Sequence, residues 1–186
     1  MTLFPPLRAA WLNGWILLVI YGVVFGVVVK SFPQDVVARL YDKSHWTRTQ
    51  RRLTLVAKIL SSILLVLLAF SPLQIGRPVF VAGAVLSAVG LIGLVVALFN
   101  FKDAQPGQPA TNGLYRLSRN PQWVALVIMF AGNCLAVGSW AALSLFALVT
   151  VFYHFRILGE ERSCLELYGT PYRDYLGQVP RYLLLR

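Results

Sequence analysis

Acidic side chains are scarce in this sequence. Seven Asp and Glu residues stand against seventeen Lys and Arg residues, which gives a net charge of +10. Charged residues of both signs make up 13% of the chain, whereas 58% of it is hydrophobic. A soluble core of 186 residues cannot enclose so many apolar side chains, so the composition excludes an ordinary water-soluble domain and indicates a bilayer protein.

Cysteine and histidine are also scarce, with two residues of each. The topology derived below places Cys134 and Cys164 on opposite sides of the membrane, so we expect no disulfide between them. His45 has no second candidate ligand nearby and gives little support for a metal site, and we expect no bound metal. The basic residues lie between apolar stretches and form no continuous soluble face, so we expect no nucleic-acid partner.

Apolar stretches dominate what remains and predict an all-α integral membrane protein with five transmembrane helices. The predicted spans are residues 11–29, 53–70, 78–99, 122–137 and 140–155. The last two are short and nearly continuous, which predicts a tight antiparallel hairpin with its turn near Gly138. Gly83, Ser87, Gly90 and Gly93 on the third span predict a closely packed helix face.

Two polar segments separate the spans on one side of the membrane. Residues 30–52 are basic, and the spacing of Phe32, Val36 and Leu40 predicts a short interfacial helix there. Residues 101–111 contain Pro106 and Pro109 and cannot continue a helix.

The residues after the last span predict amphipathic C-terminal helices. We expect one helix at about 159–168, closed by Gly169. Thr170 is placed to cap the next helix and Pro171 to occupy its first turn.

Basic residues also predict the orientation. Fifteen of the seventeen lie at 30–58, 101–121 and 156–186, a count that includes Lys43 and Arg186, against Arg8 and Arg77 elsewhere. The positive-inside rule then places the N-terminus outside and the C-terminus in the cytoplasm, in a cytoplasmic or inner membrane. We expect one membrane domain over residues 1–186, with 1–100 as a scaffold and 101–186 carrying the site.

Polar groups at the two ends of the predicted hairpin should converge on the cytoplasmic face. They are Tyr115, Arg119, Asn120 and Pro121 before the hairpin, and Tyr153, His154, Arg156, Glu160 and Glu161 after it. Arg156 and Glu160 are four residues apart, so they share a helix face. An ordinary salt bridge of about 0.3–0.5 kcal/mol is one interpretation of that pair.

The combined pattern resembles a known family. It reads Gly-x-Tyr-Arg-x-x-Arg-Asn-Pro-x-aromatic, a hairpin, Arg-x-x-x-Glu-Glu, then Tyr-Gly-x-x-Tyr-x-x-Tyr and Val-Pro-Arg. This string is similar to the isoprenylcysteine carboxyl methyltransferases and their bacterial relatives, including membrane phospholipid methyltransferases. The resemblance covers roughly the last eighty residues.

This resemblance implies S-adenosylmethionine as methyl donor and a set of site residues. Tyr115 and Glu160 resemble family residues that contact the cofactor, and Arg156 resembles the arginine that faces the substrate. Asn120, Pro121, Gln122 and Trp123 stand where the family often has His-Pro-x-Tyr. The cofactor's ammonium could pair with Glu160 or Glu161, its carboxylate with Arg119, and its adenine could lie against Trp123 or Tyr172.

The sequence departs from the family pattern at two places. Asn120 replaces the motif histidine, so it keeps a donor and an acceptor but cannot act as a base. Upstream, the family's His-x-Leu-Val-Thr appears here as residues 107–111, and only Thr111 agrees.

The leading hypothesis is methyl transfer to a lipophilic acceptor, which is a lipid or other apolar small molecule with a carboxyl, amine or thiol. Such a displacement mainly needs positioning of donor and acceptor and exclusion of water. Two alternatives are an NADPH-dependent sterol or enone reductase and an inactive membrane adaptor of the same fold. Membrane lipids are expected neighbours, and the sequence does not indicate the oligomeric state.

Overall fold

A computed structural model describes residues 1–42, 46–105 and 107–183 of the chain. Lys43, His45, Pro106 and Arg186, which entered the predictions above, lie outside the described residues. Within them the fold is all-helical, as predicted, and contains no β-strand. The α-helices are α1 Trp15–Lys30, α2 Gln34–Leu40, α3 Arg48–Phe70, α4 Pro78–Lys102, α5 Pro121–Ala136, α6 Trp140–Tyr168 and α7 Thr170–Gln178, and Gly113–Arg116 forms a short 3₁₀ helix.

Three helices, α3, α4 and α6, are long and apolar enough to cross a membrane. Helices α1 and α5 are apolar but have 16 residues each. At 1.5 Å per residue each is about 24 Å long, against about 30 Å for a bilayer core. The structure therefore supports a membrane protein with three clear spans, and the count of five stays a prediction.

The first helix begins four residues later than predicted. The Gly14 amide donates to the Ser71 carbonyl at 2.9 Å, and the Leu73 amide donates to the Leu12 carbonyl at 3.0 Å. These bonds hold residues 12–14 against the turn after α3, so the chain enters a helix only at Trp15. Hydropathy cannot reveal this, because the bonds join distant parts of the backbone.

The small-residue face of α4 packs closely on α5, as predicted. A Cβ atom at Gly83 or Gly90 would overlap the backbone of α5, and Ser87 donates to Asn133 of that helix at 2.8 Å. The turn between α5 and α6 is short, as predicted, and the two helices contact each other, as Trp123 and Tyr153 do at 4.6 Å between ring centres. Helix α5 packs mainly against α4 and α6 mainly against α3, because each finds its closest contacts there.

The last span and the first tail helix are one helix. Helix α6 has 29 residues, about 44 Å at 1.5 Å per residue, and the break expected between 155 and 159 is absent. The chain has no proline between 140 and 170 to interrupt it, and Gly169 at φ +62° ends it as predicted. Gly169 also caps α7, so the capping role expected of Thr170 is wrong, while Pro171 lies in the first turn as expected.

Residues 32–40 are held against the bundle. The predicted interfacial helix is α2, and Phe32 and Val36 bury their side chains in a cluster with Leu94 and Leu98. Helix α3 begins with a capping box, in which the Thr47 and Gln50 side chains each bond the other residue's backbone.

Candidate active site

One cavity is lined by helices α5 and α6, with further walls from α1, α2, α3, α7 and the loop after α4. Its volume is about 520 Å³. All ten residues predicted for the site line it: Tyr115, Arg119, Asn120, Pro121, Gln122, Trp123, Arg156, Glu160, Glu161 and Tyr172. The structure therefore brings the predicted set together.

Helix α6 supplies the longest wall of this cavity. Seven of its lining side chains recur every three or four residues, so these seven form one stripe along the helix. They are Phe146, Val149, Tyr153, Arg156, Glu160, Cys164 and Tyr168. The stripe spans 23 residues, with a rise of about 33 Å along the helix, and changes from apolar to polar along its length. The cavity can therefore hold an apolar chain at one end and polar groups at the other.

Glu161 is the centre of a buried ion network. Arg119 Nε donates to Glu161 Oε1 at 3.1 Å and Arg119 Nη2 donates to Oε2 at 3.4 Å. Arg181 Nη2 lies 2.9 Å from Oε2, and Asn120 Nδ2 donates to Oε1 at 3.2 Å. The Arg119 and Glu161 side chains are 7% and 9% exposed, so both charges are satisfied within the protein.

The same network ties the C-terminus to the loop before α5. Arg119 Nη1 donates to the carbonyls of Leu176 and Val179 at 2.8 and 3.0 Å. Ser118 Oγ donates to the Arg181 carbonyl at 2.8 Å. Arg119, which we expected to bind the cofactor's carboxylate, is thus engaged with protein groups on three of its nitrogens. In this arrangement it joins three parts of the chain.

Tyrosines of the loop and of α7 form the polar end of the cavity. Tyr175 donates from its hydroxyl to the Tyr115 carbonyl at 2.7 Å, and Gln122 Nε2 donates to the Tyr115 hydroxyl at 3.0 Å. Burial raises the pKa of Tyr115, Tyr172 and Tyr175 well above the usual range. These phenols therefore remain neutral, and they can donate hydrogen bonds but are poor bases at physiological pH.

Arg156 and Glu160 form the second ion pair of α6. Arg156 donates from Nε and Nη2 to Glu160 Oε1, at 2.9 and 2.6 Å. The guanidinium carbon lies 5.0 Å from the centre of the Trp46 ring and 5.3 Å from that of Tyr153. The Tyr153 ring in turn stacks on Trp123, with centres 4.6 Å apart. Arg156 is therefore held between two aromatic rings.

This second pair is only partly satisfied. Among the contacts of the described residues, Arg156 Nη1 and Glu160 Oε2 have no hydrogen-bond partner. The two side chains are 28% and 32% exposed, and both line the cavity. Arg156 Nη1 can therefore donate a hydrogen bond to a ligand, and Glu160 Oε2 can accept one.

Several cavity residues come from the half of the chain that we expected to be scaffold. Tyr21 and Leu64 line the apolar part, and Arg39 and Trp46 line the polar part. Arg39 also donates to the carbonyls of Phe101 and Ala104, at 3.0 and 3.1 Å, and so binds the C-terminal end of α4. Nothing in the sequence indicated this contact, because 62 residues separate Arg39 from Phe101.

A second, outward-facing groove of about 630 Å³ lies beside the cavity. Its walls are almost entirely apolar side chains of α5 and α6, and at one end His154 Nδ1 and the Tyr182 hydroxyl lie 3.0 Å apart. Trp123 lines both the groove and the cavity. His154, which we expected near the site, faces the groove.

Long apolar helices and a cavity that grades from apolar to polar define a membrane protein with a site for an amphipathic molecule. The family model for phospholipid methyltransferases matches residues 67–171, more than half of the chain. The chain therefore belongs to the phospholipid methyltransferase family, and the resemblance seen in the sequence is confirmed. The family indicates methyl transfer to a lipid-type substrate. No curated protein matches the chain significantly.

Proposed function

We propose that the protein transfers the methyl group of S-adenosylmethionine to the headgroup of a membrane lipid at the cytoplasmic face. The observation that carries this proposal is the Arg156 and Glu160 pair, which offers one free donor and one free acceptor inside the shared cavity. The family match supports the reaction class. The excess of basic residues near this end of the bundle supports the cytoplasmic face.

The polar end of the cavity fits the cofactor in size and chemistry. Its volume of about 520 Å³ lies within the usual range for small-molecule sites. Glu160 Oε2 can accept from the cofactor's ammonium, and the neutral rings of Tyr115 and Tyr172 can pack against its adenosine part. When bound, S-adenosylmethionine supplies an electrophilic methyl group on a sulfonium.

The acceptor's place is the neighbouring part of the cavity. Arg156 Nη1 can donate to a phosphate or carboxylate oxygen of the acceptor, while Phe146, Val149 and Leu64 can surround an apolar chain. The groove beside Trp123 gives a route from the bilayer, because this single residue lines both spaces.

The residues present suit catalysis by positioning. Stacking and ion pairing restrict Arg156, and the clamp around Glu161 fixes the loop and α7, so both ends of the site are held in place. An amine acceptor must also lose a proton. A carboxylate acceptor needs no base.

Both rival functions are less well supported. An inactive adaptor should show a collapsed space between the loop and Glu160, whereas an open cavity is present there. The family match favours a methyl donor over the NADPH of a reductase.

The first experiment is isothermal titration of detergent-solubilised protein with S-adenosylmethionine and its demethylated product. We expect Glu160→Ala to weaken binding by about 10- to 100-fold, since it removes a charge-assisted hydrogen bond. Glu166→Ala is the matched control, because Glu166 is exposed on the same helix and does not line the cavity. Equal binding by wild type and Glu160→Ala would contradict the cofactor assignment.

A second experiment measures transfer of a labelled methyl group. Membrane lipids with amine headgroups and a prenylated cysteine with a free carboxyl are offered in separate reactions. We expect labelling of the phospholipid headgroup, and labelling of the carboxyl alone would redirect the acceptor assignment. NADPH serves as the cofactor control in a thermal-shift assay, in which S-adenosylmethionine should raise the unfolding midpoint and NADPH should not.

A further inference from the structure

Trp46 lies outside the residues that define the family but inside the cavity that we assign to the acceptor. The family match begins at residue 67, and Trp46 precedes the N-cap of α3. Its ring lies against the Arg156 guanidinium, 110 positions later in the sequence. Trp46 therefore contributes to the site from an independent part of the chain.

The position of Trp46 is fixed by the start of α3. Thr47 and Gln50 close the capping box, and Gln50 is buried against Gly159 of α6. A Cβ atom at residue 159 would overlap the Gln50 side chain, so glycine permits this close approach. The crossing of α3 and α6 at Gly159 thus places Trp46, four residues before Gln50, against Arg156, three residues before Gly159.

The aromatic contacts restrict how Arg156 can point. Trp46 at 5.0 Å and Tyr153 at 5.3 Å both contact the guanidinium, and the Trp123 ring stacks on Tyr153. Glu160 binds only Nε and Nη2 of Arg156. The rings therefore limit rotation of the plane, and that rotation decides where Nη1 points.

We propose that Trp46 is a positioning residue that holds Arg156 in the orientation needed to bind the acceptor's anionic group. This inference rests on the proposed function. Trp46 should affect binding of the acceptor, because its ring contacts Arg156. It should not affect binding of the cofactor, because the Glu160 oxygen proposed to bind the cofactor does not depend on Trp46.

The experiment compares two variants of Trp46. Trp46→Phe keeps an aromatic ring beside Arg156, and Trp46→Leu removes it. The readouts are the apparent KM for dioleoyl phosphatidylethanolamine in mixed micelles and the Kd for S-adenosylmethionine. We expect Trp46→Leu to raise that KM about tenfold, as loss of a partly desolvated cation–π contact implies, and Trp46→Phe to raise it less. The Kd should not change in either variant.

Trp11→Leu is the matched control, because Trp11 is 85% exposed and lies at the N-terminal end of the chain before α1. It should change neither quantity. A similar KM in Trp46→Leu and Trp46→Phe, or a parallel rise in the Kd, would show that Trp46 only packs the fold and would overturn the inference.

A thermal-unfolding cycle with Trp46→Leu, Arg156→Gln and the double variant tests the contact without an acceptor. We expect the two single effects to be non-additive, and additive effects would overturn the inference even if phosphatidylethanolamine is not the substrate. If wild type binds no S-adenosylmethionine, the proposed function fails, and the cycle still decides whether Trp46 holds Arg156.

Discussion

Two neighbouring glutamates of α6 lie in opposite environments. Glu161 is 9% exposed in its side chain and binds Arg119, Asn120 and Arg181, so its charge is fully engaged. Glu160 is 32% exposed, and among the described residues it binds Arg156 alone, through one of its two oxygens. Both residues line the cavity, but adjacent residues on a helix point about 100° apart, so the Glu161 carboxylate meets buried partners and the Glu160 carboxylate is more exposed.

Glu161 therefore stabilises the structure of the site, whereas we propose that Glu160 binds a ligand. The network of Glu161 connects the loop, α6 and the C-terminal segment, and it leaves little capacity for a ligand. The ion pair of Arg156 and Glu160 contributes little to the stability of the fold, and it has a donor and an acceptor that can bind a ligand. The comparison therefore predicts large effects on stability at one residue and large effects on binding at its neighbour.

Removing the buried carboxylate should have the largest effect on stability. Glu161→Ala leaves Arg119 buried without a counter-charge, and we expect the free energy of unfolding to fall by about 3–5 kcal/mol. Thermal unfolding in detergent measures this. Glu161→Gln keeps two hydrogen-bonding groups and should cost less. A change no larger than that of Glu160→Ala would refute the division between the two residues.

A hydroxyl that joins α7 to the loop should have an intermediate effect. Tyr175→Phe removes the donor to the Tyr115 carbonyl and leaves that buried oxygen without its partner. We expect a loss of about 1–2 kcal/mol in unfolding free energy, measured in the same assay. Tyr41→Phe is the control, because Tyr41 is 51% exposed. If both variants unfold alike, α7 is not held to the loop through this bond.

The helices and the residues of the site could be predicted from the sequence. Which of the two glutamates stabilises the fold and which is available to a ligand could not. Hydropathy located α3, α4 and α6, and the motif string named ten residues that line one cavity. Which glutamate is buried depends on Arg119, 42 residues earlier, and Arg181, 20 residues later. No local pattern encodes contacts at those separations.

The same limit explains the parts of the fold that were predicted incorrectly. Helix α6 runs through Gly159 because packing against Gln50 supports it, although glycine is a poor helix former. Trp46 was not expected at the site, since its contact with Arg156 requires α3 and α6 to cross at that glycine. Both outcomes follow from tertiary contacts between helices.

The smallest effect on stability is expected at the ion pair of Arg156 and Glu160, which we propose binds the ligands. Arg156 and Glu160 form a partly exposed pair four residues apart, so Glu160→Ala should lower the unfolding free energy by only about 0.5 kcal/mol. Thermal unfolding without cofactor measures this change, and Glu166→Ala sets the background for losing an exposed glutamate of α6. A loss approaching that of Glu161→Ala would mean that Glu160 supports the fold, and the weaker cofactor binding of that variant would then follow from misfolding. A small loss together with weakened binding would support direct binding of the cofactor by the Glu160 carboxylate, because the variant then keeps its fold.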